Sequence, residues 1–177
     1  MADAKMTRSD QIISQLAGRA NDAAVVEMGE IKRQVVVFRL SDNFFAFDGG
    51  GVKEIIPLVE MTPVPASPPH ILGIINLRGE VEAVTDIRQF LGYDPKPPGK
   101  ASRLVIAEVE EIRSGILVDS VIDVVNITES AIGDPASAVS DQLKGVVDGE
   151  FIYEGLTILL FDMKAIFSLL ETGGKSE

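Results

Sequence analysis

Gly115-Ile116-Leu117-Val118-Asp119, followed after one residue by Val121-Ile122-Asp123-Val124-Val125, restates an earlier pair of segments, Phe45-Ala46-Phe47-Asp48 and Val52-Lys53-Glu54-Ile55-Ile56. The correspondence extends outward. Arg103 to Val109 plays the part of Val35 to Leu40, Gly145-Val146-Val147 that of Gly73-Ile74-Ile75, and Asp162-Met163-Lys164-Ala165-Ile166-Phe167 that of Asp86-Ile87-Arg88-Gln89-Phe90-Leu91. The spacings are 71 for Asp48 to Asp119, 72 for Gly73 to Gly145 and 76 for Asp86 to Asp162. Self-similarity at a near-constant interval is the mark of a duplicated structural unit.

Each half is a series of short strands closed by a short helix. Val35-Val36-Val37-Phe38 and Phe44-Phe45-Ala46-Phe47, joined through Ser41-Asp42-Asn43, form a hairpin pattern. Gly49-Gly50-Gly51 then permits a bend, with a hinge as the expectation, before Val52 to Ile56. Five prolines between Pro57 and Pro69 confine that stretch to edge or loop. Ile71 to Leu77 and Val81 to Val84 flank a turn at Arg78-Gly79. Asp86 is placed to cap a helical turn over Ile87 to Leu91, which Gly92 closes. About five short strands per half, with Gly and Pro turns, predict a mainly β protein of two small barrels rather than one sandwich. The expected organisation is an arm over residues 1–33, a first half at 34–93, a linker rich in proline, a second half at 101–170 and a tail at 171–177. Within the arm, Ile12, Ile13 and Leu16 form one apolar stripe and predict a short helix over 8–20, with a frayed tail as the alternative.

Composition narrows the function. The 177 residues are 46% hydrophobic and 24% charged, which suits a folded domain. Sixteen basic and 27 acidic residues give a net charge of −11, a surface that repels phosphate backbones and anionic lipid, so neither nucleic acid nor a membrane surface is an expected partner. The absence of cysteine removes disulfides, zinc-thiolate sites and Cys nucleophiles, and one histidine, His70, cannot build a multi-His metal site. No apolar run approaches the roughly 20 residues of a spanning helix, and none resembles a signal peptide, so the expectation is a cytoplasmic protein without metal or cofactor.

The sequence carries no recognisable catalytic constellation. Gly99-Lys100 is followed by Ala101 and preceded at the first glycine position by Asp94; Gly174-Lys175-Ser176 has Leu169 there. Neither is a phosphate loop. His70 follows Pro68-Pro69 and reads as a loop histidine without a chemical task, since catalysis needs a nucleophile and an orienting carboxylate that sequence does not place, and Glu108, Glu110 and Glu111 read as a solvated turn. Asp48, Asp86, Asp119 and Asp162 recur at equivalent places in the two halves, which argues for turn and cap roles. What remains is a scaffold with a few placed charges. Arg78, in a tight turn beside aliphatic residues, is either an interface arginine or one held by a local acid such as Glu80 or Glu82.

The segment from Pro65 to Gly79, Pro-Ala-Ser-Pro-Pro-His-Ile-Leu-Gly-Ile-Ile-Asn-Leu-Arg-Gly, resembles the signature of the CheW family of chemotaxis coupling proteins. Val84-Thr85-Asp86-Ile87-Arg88-Gln89-Phe90-Leu91-Gly92, Val52 to Ile56 and Gly115 to Val121 are similar to that family's other blocks, so the resemblance covers about 34–170. It implies two five-stranded SH3-like barrels packed around a shared hydrophobic core, and an adaptor without enzymatic activity. The implied partners are the regulatory domain of a CheA-type histidine kinase and the cytoplasmic tip of a chemoreceptor. It implies further that the first barrel docks on the kinase, by residues it does not name, and that a groove between the barrels receives the receptor's helical hairpin. Glu54, Ile55, Arg78 and Val121 then lie at or near that groove. Ala83 in place of a common proline, the Gly49–Gly51 triplet and the long arm depart from the family pattern. They leave open a divergent paralogue serving pilus, gliding or another output, or an array component that no longer binds receptor.

Overall fold

A computed structural model describes residues 30–136 and 139–174; the helix expected over 8–20 lies outside them. Ten strands follow one another: β1 (Lys32–Leu40), β2 (Asn43–Asp48), β3 (Val52–Pro57), β4 (Ile71–Leu77), β5 (Glu80–Thr85), β6 (Arg103–Val109), β7 (Ile112–Val118), β8 (Ser120–Thr128), β9 (Val147–Tyr153) and β10 (Leu156–Phe161). Short 3₁₀ turns occupy Gly49–Gly51, Arg88–Leu91 and Glu129–Ala131, and helices occupy Asp141–Lys144 and Met163–Thr172.

The strands form two five-stranded sheets, in the orders β8-β1-β2-β10-β9 and β3-β6-β7-β5-β4. Strand equivalences between the halves (β1 with β6, β2 with β7, and so on) turn one order into the other. Each sheet also holds one parallel pair at the matching place, β2 with β10 and β5 with β7. The expected mainly β class and the five-by-five division are therefore what the chain adopts. The sequence halves, however, do not each make a sheet. The first sheet takes β1 and β2 from the first half and β8, β9 and β10 from the second; the other reverses the loan. The division at 93/101 thus marks the repeat in the chain and not a boundary between the sheets. The chain crosses between sheets at Asp48 and again at Asp119, because the strand after each aspartate pairs with the other half.

The apolar runs are explained by burial on both faces. Val35, Val37 and Ala46 face a small core within the first sheet with Phe151, Ile158 and Leu160. Leu104, Ile106 and Leu117 face a matching core within the second, with Ile75 and Val84. The alternate residues, Phe38, Leu40, Phe45, Phe47, Val105, Ala107, Ile116 and Val118, meet in a third cluster shared by the two sheets. Strands buried on both faces read as continuous apolar stretches rather than alternating ones. Phenylalanines dominate the shared cluster: Phe45 stacks on Phe161 with ring centroids 4.5 Å apart, and Phe38 lies 4.6 Å from Phe47. The C-terminal helix closes it with Met163, Ile166 and Phe167, one face at i, i+3 and i+4. Asp162 caps that helix by accepting from the Lys164 and Ala165 amides, and Gly173 ends it at φ 64°.

Two details of the repeat emerge only in three dimensions. Lys53 and Ile122 are each an extra residue bulged out of an edge strand, since Val52 and Glu54 pair with consecutive residues of β6, and Val121 and Asp123 with consecutive residues of β1. The counterpart of Gly73 is Gly149, not Gly145. Gly73 lies against Thr62 and Gly149 against Gly133, and the bridges Thr62–Ile74 and Gly133–Glu150 match. The second half carries five additional residues between Gly133 and Val146, where the Asp141–Lys144 helix forms and Gly145 follows it. An alignment on glycine alone absorbs part of that insertion. The glycine triplet is not an open hinge either: it forms a 3₁₀ turn capped by Asp48, and a Cβ on Gly49, Gly50 or Gly51 would come within about 3.0 Å of neighbouring atoms.

Candidate functional site

Arg78 and Gly79 form the two-residue turn of the β4–β5 hairpin, with φ of 53° and 88°. Positive φ at both positions is the geometry that matches strand twist in a tight hairpin. The Asn76 side chain accepts from the Gly79 amide at 2.9 Å and fixes the turn. Arg78 is thereby aimed at β3, the opposite end strand of its sheet, where its two terminal nitrogens donate to the two oxygens of Glu54 at 2.9 Å each. The fork is bidentate, the geometry at which arginine differs from lysine. The local acids Glu80 and Glu82 do not hold Arg78; both accept from Arg113 on β7, together with Glu108. Bonding to Glu82 and Glu108 holds the Arg113 guanidinium well above its ordinary pKa.

The equivalent site on the first sheet uses different chemistry. Asp123 on β8 occupies the place of Glu54, and the Tyr153 hydroxyl at the end of β9 donates to it. In each sheet a side-chain hydrogen bond thus reaches between its two ends, from the β4–β5 turn to β3 in one and from β9 to β8 in the other. The bond to Asp123 pushes the Tyr153 hydroxyl up to about 12, and the same bond, with the Val124 amide, lowers Asp123.

Of the four residues singled out from sequence, the fold brings Glu54 and Arg78 into direct contact. Ile55 is their neighbour on β3, half-buried against the shared core cluster. Val121 stands on β8, in the other sheet, and is half-buried against that same cluster. Its neighbour Ile122 is 42% exposed because it is the bulged residue. Apolar side chains from both sheets thus pack on the cluster that the sheets share, and on β3 the residue before Ile55 carries the charged pair.

Behind this surface lies a buried ionic group that the sequence reading did not assemble. Arg88 donates one terminal nitrogen to Asp86 at 2.9 Å and the other to Asp119. Asp86 also caps the Arg88 amide at 3.0 Å, and Asp119 accepts from the Ser41 amide at 2.7 Å. The two aspartates were legible as turn and cap residues, a role both keep. His70, 3% exposed, packs its ring 5.0 Å from that of Phe90, and its carbonyl accepts from the Asp86 amide.

Among the described residues, no group of three or more His, Cys, Asp or Glu is arranged to hold a metal ion, and no helix is long and apolar enough to cross a membrane.

Comparison with known proteins agrees with this architecture. The family model for the CheW-like domain matches residues 34–171. The probable chemotaxis protein CheW of Rhizobium etli is 31% identical over 149 residues, covering 84% of this chain and 96% of the relative. Chemotaxis protein CheW of Rhizobium meliloti is 30% identical over 135 residues, covering 76% and 87%. In the crystal structure of scaffolding protein TtCheW from Thermoanaerobacter tengcongensis the fold recurs with a TM-score of 0.70 at 29% identity, over 83% of this chain and 98% of that one. With a match that takes in all ten strands but the first two residues of β1, this chain belongs to the CheW-like domain family.

Proposed function

We propose that this protein is a non-enzymatic, cytoplasmic adaptor of a chemosensory array, coupling the cytoplasmic tip of a chemoreceptor to the regulatory domain of a CheA-type histidine kinase. The observation that carries the reading is that Ile55 and Val121, from different sheets, both rest half-buried on one shared core cluster, and that the Glu54–Arg78 ion pair stands next to Ile55 on β3. A helical hairpin docks by laying apolar anchors into such a seam and meeting charge at its rim. The relatives named for chemotaxis, and one described as a scaffolding protein, support the same class of role. Signal transfer through this subunit is then a change of pose between partners. The kinase contact, expected on the first barrel, translates to no single sheet here because each sheet mixes the halves; its residues are unassigned.

The test is calorimetric titration of the protein with the kinase regulatory domain and then with the receptor tip. Both are expected to bind. Val121→Glu is expected to abolish the receptor heat; because Val121 is half-buried on the core the melting temperature should fall, and an unchanged kinase heat shows that the fold survives. Arg78, whose side chain is 78% exposed, contributes only about 0–1 kcal/mol to stability through its ion pair, so Arg78→Ala reads docking with little effect on folding. Kinase binding without receptor binding would replace the adaptor by an array component that only fills positions. Binding to neither would overturn the proposal.

A further inference from the structure

The molecule contains two versions of the same crossing between sheets, and they are built differently. At the first, Asp48 is partly exposed and pairs with Arg33. The residue equivalent to Arg88 is Lys164, which is exposed and turns instead to Glu110 at 3.1 Å. At the second crossing, Arg88 is 1% exposed and grips Asp119, 6% exposed, with its Nε buried without a hydrogen-bond partner among the described residues. The first crossing shows that the chain makes this passage without a buried cation. Burying a guanidinium between two carboxylates is costly in desolvation, and apolar replacements of such groups are often neutral or stabilising. Stability is therefore a poor reason for the arrangement.

Its connections suggest another. Asp119 lies two residues before Val121. Its carboxylate holds the Ser41 amide at the β1–β2 turn, its amide donates to the Arg39 carbonyl at 3.0 Å, and Arg88 ties it to the end of β5. Asp119 thus joins the start of β8 to the β1–β2 turn by its own bonds, and to the end of β5 through the Arg88 guanidinium. We propose that Arg88 is a positioning residue for the docking seam: by gripping Asp119 it sets the pose of β8, and with it Val121, relative to β3, which carries Glu54 and Ile55. The functional part of this inference rests on the adaptor reading; the geometric part does not.

The experiment uses the full chain. Arg88→Met combined with Asp86→Asn and Asp119→Asn removes all three charges, while each asparagine keeps a carbonyl oxygen to accept from the Arg88-position amide or the Ser41 amide. Nitroxide labels introduced by Lys53→Cys and Ile122→Cys, the two exposed bulge residues, are clean because the chain has no cysteine. Pulsed electron spin distance measurement reads the β3–β8 separation directly. The expected result is a narrow distance distribution in the parent, a shifted or broadened one in the neutral variant, and receptor-tip affinity lowered roughly tenfold with kinase-domain affinity kept. A distribution that superimposes on the parent's overturns the proposal, including when the melting temperature falls, since that outcome is a structural role alone. If the triple variant does not fold, Arg88→Lys, which keeps the charge and loses the fork, is read by the same measurement against the same two outcomes. If the parent fails to bind the receptor tip, the adaptor reading fails, and the distance distribution still decides the positioning role.

Discussion

The guanidinium of Arg88 donates to the carboxylate of Asp119 across 31 residues of sequence, joining the end of one sheet to the entry of the other in a site closed to solvent. Removing only the cation leaves Asp86 and Asp119 facing each other, buried and uncompensated. Arg88→Ala is therefore expected to cost about 3–5 kcal/mol, measured as the shift of the urea unfolding curve.

The Tyr153–Asp123 bond makes the first sheet sensitive to pH at both ends. Tyr153 is raised to about 12 from its ordinary 10, so its contribution is complete below pH 10 and is lost as pH climbs toward 12. Asp123 is lowered from its ordinary 3.8, so its contribution is present above that value and lost as pH falls below it. Tyr153→Phe is expected to flatten the difference at both limits. The check is the urea midpoint of parent minus variant across the acid and alkaline ranges, which should be largest between them.

Gly73 and Gly149 are needed because backbone passes close over them. A Cβ at 73 would stand 2.7 Å from the Thr62 carbonyl oxygen, and one at 149 would stand 2.5 Å from Ile132 and 2.9 Å from the Gly133 carbonyl. Gly149→Ala and Gly73→Ala are each expected to destabilise by about 1–3 kcal/mol, read by thermal melting, whereas Gly99→Ala, with open space around it, should change little.

Strand exchange makes a prediction about a cut chain. Residues 94–100 are exposed and form no strand or helix. A protease site placed there is expected to be cleaved, yet the two fragments should elute together and separate only in denaturant. Fragments that part under native conditions would contradict the β1–β8, β2–β10, β3–β6 and β5–β7 pairings.

Much of the architecture was legible because the four strands buried on both faces write themselves as unbroken apolar runs. Val35 to Phe38 and Gly115 to Val118 could hardly be anything else. Which half each strand would join was not legible, since Val52 to Ile56 reads the same whether it pairs with β1 or with β6. Gly145 drew the repeat out of register because an insertion of five residues leaves a glycine near the expected spacing. At the candidate site, family likeness picked out Glu54 and Arg78, but not that they bond to each other: a hairpin tip reaching the far edge of a curled sheet has no signature in local sequence. Arg88 was passed over for the same reason. Its aspartates were visible as caps, while its burial depends on β7 and β8 meeting it from a distance.

The exchange also sets the order in which the protein can be finished during synthesis. Ala46 finds its partner Leu160 only after 114 further residues have been added, which at about 5–20 residues per second leaves the phenylalanines of β2 waiting for roughly 6–23 seconds. The β1–β2 hairpin, synthesised before the other described strands, is among the last elements to have both its edges covered. Pairings this distant in sequence also slow folding in a free chain. An unfinished copy therefore presents a bare apolar ribbon, and the growing polypeptide, more than the folded protein, is the form exposed to aggregation.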